Sequence, residues 1–89
     1  MKNASPVKSE VHCVAVLQSI HYVIKGEQIL KRAGLQIDVI PIPRDISSDC
    51  GMALEFSSRD KGYAEKLLAE ASIVIVGIYA SNGGLYSIM

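Results

Sequence analysis

Apolar residues gather along this chain into four short runs, separated by two longer stretches in which they recur every three or four positions. Val11 to Leu17 (VHCVAVL) reads as a buried strand, Gln36 to Ile42 (QIDVIPI) as a second, Met52 to Phe56 (MALEF) as an alternating third and Ile73 to Tyr79 (IVIVGIY) as a fourth. Pro41 has no N–H to give to a ladder, which sends the second strand to a sheet edge. Between the first two strands a helix is expected from Ser19, placed to cap it, to about Ala33. Val23, Gly26, Leu30 and Ala33 form its inner face, flanked by Tyr22 and Ile29. Gly26 permits close approach to a sheet, and Gly34 closes the helix in the left-handed conformation. Ser57 or Ser58 opens a second helix ending near Ala71, with Tyr63, Leu67 and Ala71 on one face.

The order β-α-β-β-α-β has one usual solution with right-handed crossovers and both helices on one face. It is an α/β (α+β) fold of the ferredoxin-like type, an antiparallel sheet in the order 4-1-3-2, with strands one and three in the middle. Residues 11–79 make this domain, residues 1–10 are a polar arm, and residues 80–89 are a tail in which Asn82-Gly83-Gly84 is a turn signal and Leu85 to Ile88 an optional extra strand. Strand one presents Cys13, Ala15 and Leu17 to one face and Val14 and Val16 to the other. Strand four likewise presents Val74, Val76 and Ile78. Helices cover one face only, so the other is expected to be buried by a second copy, giving a homodimer.

With 89 residues, 49% of them hydrophobic, the chain is long enough for one domain with a modest core and no staples. Nine basic residues balance nine acidic ones, which argues against nucleic acid or an anionic membrane surface as partner. The apolar runs fall far short of the roughly 20 residues that span a bilayer. The protein is therefore expected in the cytoplasm, where its two cysteines are reduced thiols. His12 and His21 have no ligand spacing, so no metal site is expected.

Candidate chemistry concentrates in the loop ending at Cys50. Strands one and three are antiparallel neighbours, so the start of strand three lies beside the end of strand one and the start of helix one. Cys50 is thus expected near Ser19, Ile20 and His21, with Cys13 at the other end of its strand, too far away for a disulfide. A helix N-terminus favours thiolate, as do Arg44 and a protonated His21; Asp45 and Asp49 oppose it. Gly51 leaves the sulfur approachable, and Ser47 and Ser48 suit a small anion cradle better than a nucleophile. The bland reading is that a lone cysteine at a strand start is a small buried hydrophobe.

The run Pro41-Ile42-Pro43-Arg44-Asp45-Ile46-Ser47-Ser48-Asp49-Cys50-Gly51-Met52-Ala53-Leu54 resembles the signature of the selenium/sulfur carrier-like family of small bacterial proteins. The segment Gly26 to Gly34 is similar to that family's first helix. The resemblance implies a carrier or binding protein more than a true enzyme, with Cys50 holding sulfur or selenium as a persulfide-type adduct. A sulfur- or selenium-donor protein would then be a partner, and no resident cofactor is needed. Arg44, Ser47, Ser48, Gly51, Ser19 and His21 are the supporting residues. The chain departs from better-understood sulfur carriers in lacking a Cys-Pro-x-Pro motif. A metal-chaperone reading lacks its Cys-x-x-Cys at Leu17-Gln18-Ser19-Ile20, and an RNA-binding reading lacks aromatics on strand one. The alternative is a non-enzymatic interaction or regulatory module that dimerises through the open sheet face.

Overall fold

The computed structural model describes residues 12–44, 46, 51–82 and 85–88. Five strands form one antiparallel sheet: β1 (His12–Leu17), β2 (Asp38–Pro41), β3 (Met52–Ser57), β4 (Ile75–Asn82) and β5 (Leu85–Ile88). Two helices, α1 (Ile20–Arg32) and α2 (Lys61–Glu70), complete the α+β fold. The strand order is β2-β3-β1-β4-β5. Read from the other side it is β5-β4-β1-β3-β2, so β1 and β3 are central and β2 holds an edge. The departure from a four-stranded sheet is at β4, which is interior because β5 pairs outside it. Pro41 sits opposite Met52 in β2, where a ladder is needed on one side only.

Both helices pack on one face of this sheet. Cys13, Ala15, Leu17, Leu54 and Phe56 meet Val23 and Leu30 of α1 and Ala64 and Leu68 of α2 in a single buried cluster. A Cβ on Gly26 would stand 3.2 Å from both Leu54 Cδ1 and Leu68 Cδ2, so the bare glycine is what lets α1 sit this close to β3 and α2. The inner face of α1 is Val23, Gly26 and Leu30, with Tyr22 and Ile29 packed beside it, as the spacing predicts; Ala33, expected on the same face, is instead the half-buried C-cap outside the core cluster. On α2 the fully buried pair is Ala64 and Leu68; Leu67 and Ala71 of the expected face pack beside the core, whereas Tyr63 is 48% exposed and does not. A single 3-10 turn at Ser58–Asp60, capped by Ser57 Oγ accepting from the Arg59 N–H, precedes α2 and delays its start to Lys61.

The two helices end alike. Gly34, at φ 92°, donates to Lys31 O, and Leu35 donates to Leu30 O. At the end of α2, Ser72 at φ 61° donates to Ala69 O and Ile73 to Leu68 O. The second motif thus puts a serine where glycine is at ease.

An irregularity in β4 resets its side-chain pattern. Val16 faces Gly77 but Leu17 faces Ile75, so Val76 is an extra residue, as in a β-bulge. Ile75 and Ile78 both pack toward the helices, while Gly77 and Tyr79 pair with Val16 and Val14 on the opposite face. Ile78 therefore does not share a face with Val76, because the bulge shifts the alternation by one. Val74 and Val76 do stay outside, 54% and 64% exposed. Val14 and Ala53, which lie outside the helix-side cluster, are nevertheless fully buried.

Candidate functional site

The loop between β2 and β3 is tied at its neck. The Ile42 N–H donates to Gly51 O at 3.0 Å, and Ile42 Cδ1 lies 3.1 Å from where a Cβ on Gly51 would be. On the way out, the Ile46 N–H donates to Pro43 O at 3.0 Å, a turn that folds the chain back at once. Asp45, Ser47, Ser48, Asp49 and Cys50 lie outside the described residues.

Antiparallel pairing of β1 with β3 puts Val16 opposite Ala53, so the last residues of β1 lie beside the first of β3. The β1–α1 junction and the loop neck consequently share one half-open groove of about 800 Å³. The junction contributes Leu17, Gln18, Ser19 and Ile20; the neck contributes Ile42, Ile46, Gly51 and Met52; the sheet contributes Val16, Val76, Gly77 and Tyr79. None of these residues carries a charge. Of the residues singled out by sequence, Ser19 and Gly51 are brought together here. Arg44 and His21 are exposed and do not line the groove; the His21 ring stands edge-on to Tyr22, with centroids 5.2 Å apart.

Ser19 is the N-cap of α1, but by a different bond from the one its hydroxyl suggests. Its side chain makes no capping bond; its carbonyl accepts from the Tyr22 and Val23 N–H groups at 3.1 Å each. The first-turn N–H groups of Ile20 and His21 have no partner within the helix, so α1 turns its positive end to the β1–α1 junction.

Cys13 is fully buried in the helix-side cluster and is not in a disulfide. Burial pushes its thiol above the ordinary value, with Glu65 adding to the shift and Lys61 opposing it. It is a core residue and a poor nucleophile at neutral pH. His12 sits at the other end of the sheet, in a polar depression with Asp38, Glu55 and Arg59. Among the described residues no cluster of His, Cys, Asp and Glu has the makings of a metal site, and no helix is long and apolar enough to cross a membrane.

A model of the family described as "Putative Se/S carrier protein-like" matches residues 12–80. The chain belongs to this family. The matched span begins with β1 and runs through both helices into β4, so the family's shared part includes every segment that lines the groove. No curated protein and no solved structure gives a match.

Sequence reasoning missed the sheet wall of the groove, made by Val76, Gly77 and Tyr79. A signal was present: a glycine inside an otherwise β-branched strand marks a bulge or a close approach.

Proposed function

We propose that this member of the Se/S carrier-like family holds sulfur or selenium on the thiol of Cys50. The observation that supports it best is the sharing of one groove by Gly51, covalently next to Cys50, and by Ser19 and Ile20 at the start of α1. Free N–H groups at a helix start favour the thiolate needed for attack and the anion that follows it. A groove of about 800 Å³ leaves room for an adduct larger than the thiol.

The chemistry balances without a cofactor. The Cys50 thiolate attacks the terminal sulfur of a donor persulfide; the Cys50 S–S bond forms as the donor's S–S bond breaks, and the donor leaves as a thiolate. Cys50 then bears a persulfide anion. An acceptor nucleophile takes its outer sulfur, and Cys50 departs as thiolate. Selenium follows the same steps with selenium as the transferred atom. Arg44, Ser47 and Ser48 would supply donors to that anion from the loop.

A dimer closed over the outer sheet face has less motive than the strand pattern gives it, because Val14 and Ala53 are already fully buried. The carrier reading is tested by thiol labelling and intact mass. Cys50→Ser should abolish labelling at neutral pH and any sulfur or selenium adduct, with the fold unchanged. Arg44→Ala should slow the labelling. If Cys13 labels before Cys50 in the folded protein, the carrier reading fails.

A further inference from the structure

The side chain of Tyr79 reaches the groove because of two features of β4. Ile75 packs toward the helices, so unbroken alternation would turn Gly77 and Tyr79 the same way. Val76, as the extra residue, breaks the alternation and sets Gly77 and Tyr79 opposite Val16 and Val14 on the outer face. The ring then leans back along the strand over Gly77, where a bare residue leaves it room. Its Cε1, Oη and Cζ atoms, the far end of the side chain, stand 3.1, 3.2 and 3.4 Å from the Cβ position of residue 77. The hydroxyl is thereby carried from the level of Val14 to that of Val16, two residues or roughly 7 Å nearer the end of β1 at which the groove opens.

The strand order sets what this hydroxyl faces. β1 lies between β4 and β3, and β3 leads out of the loop neck, so Gly51 and Tyr79 line one groove from its two sides. Strands two places apart are about 10 Å apart. A thiolate at residue 50 attacks a persulfide in line, with the transferred sulfur between the attacking and leaving ones. Three sulfurs in a row span about 4–5 Å, which puts the leaving one on the side away from the neck. We infer that Tyr79 contacts the donor during transfer: its hydroxyl donates a hydrogen bond to the donor's inner sulfur as that atom takes the electron pair of the breaking S–S bond. The bond from Cys50 to the terminal sulfur forms in the same step, so no oxidant or reductant is consumed. This role rests on the carrier reading of Cys50 and adds to it a group that recognises the leaving thiolate. The hydrogen bond matters most where that thiolate is strongly basic, because a weakly basic one departs without help.

Two neutral reagents that deliver the same 2-hydroxyethylthio group test it, with transfer read as the mass added at Cys50. 2-Hydroxyethyl disulfide expels an alkyl thiolate, which gains from the hydrogen bond. 2-Hydroxyethyl 2-pyridyl disulfide expels pyridine-2-thiolate, whose charge is spread over its ring. Tyr79→Phe keeps the ring and removes only the hydroxyl. It should slow transfer from the first reagent about tenfold, the order of a hydrogen bond to a charged acceptor, and change the second by less than about twofold. Equal slowing of the two, a larger effect on the pyridyl reagent, or no effect on either would overturn the role of Tyr79 and leave the carrier reading standing. Failure of both reagents to label Cys50 in the wild-type protein would instead remove the carrier reading, and the role of Tyr79 with it.

Discussion

The ring of Tyr79 lies across Gly77, two residues before it on β4. Its Cε1, Oη and Cζ atoms are 3.1, 3.2 and 3.4 Å from where a Cβ on residue 77 would sit. The same pair faces Val14 and Val16 across the ladder, so the ring covers Gly77 on the outer face of β4 and walls the groove at the same time. Any side chain at position 77 must push the ring aside. Gly77→Val should cost about 1–3 kcal/mol by overpacking, and Gly77→Ala less, since the ring then gives by only a few tenths of an ångström. Urea midpoints at constant slope check the cost, and the NMR shifts of the Tyr79 ring check its cause. Unchanged ring shifts in Gly77→Val would refute the account.

Ser72 offers the opposite opportunity. It holds a left-handed φ of 61° at an exposed helix end, where a residue with a Cβ is strained by about 1–2 kcal/mol. Glycine gives back part of that relief as chain entropy. Ser72→Gly should therefore raise stability by about 0.5–1 kcal/mol, a gain of several degrees in Tm for a domain of this size. A lower Tm by calorimetry would mean that the serine hydroxyl contributes more than the strain removes.

Cys13 links stability to alkaline pH. Its folded-state pKa lies above the ordinary value of 9.0, so between the two the unfolded chain gives up the proton and the native one keeps it. Unfolding then releases protons, and stability falls as pH rises through that interval. Below about pH 9 the contribution is fully present; above it the contribution is progressively lost. Cys13→Ala, which overpacks nothing and has no proton to release, should flatten the fall in urea midpoint between pH 8 and about pH 10.5 relative to wild type, whatever its constant cost in stability. Parallel curves for the two proteins would show that other groups cause the loss.

The sequence was most readable where one rule acted alone. The inner face of α1 follows from a single period, and the left-handed Gly34 from a glycine just past its last turn. The juxtaposition of Ser19 and Gly51 follows from strand order, which connection handedness restricts to few choices. Legibility failed where two rules competed. In Ile73-Val74-Ile75-Val76-Gly77-Ile78-Tyr79 every position is apolar or glycine, so alternation cannot say which face a residue takes, and a one-residue bulge goes unseen. Ile73 itself reads as strand from its neighbours, but the hydrogen bond from its N–H to Leu68 O assigns it to the end of α2. In the second helix Tyr63 competed with Ala64 for the core, and the smaller residue won because α2 packs closely against α1 and the sheet.

The tie at Ile42 and Gly51 has a consequence for how this protein can change over generations. A segment whose two ends are already held together adds little closure entropy when it grows, only about 0.6 kcal/mol for each doubling of its length. With the Ile42–Gly51 hydrogen bond fixing those ends, insertions and replacements between Pro43 and Cys50 leave the pairing of Asp38–Pro41 with Met52–Glu55 in place. The length of the loop is thereby uncoupled from the pairing of the sheet beneath it.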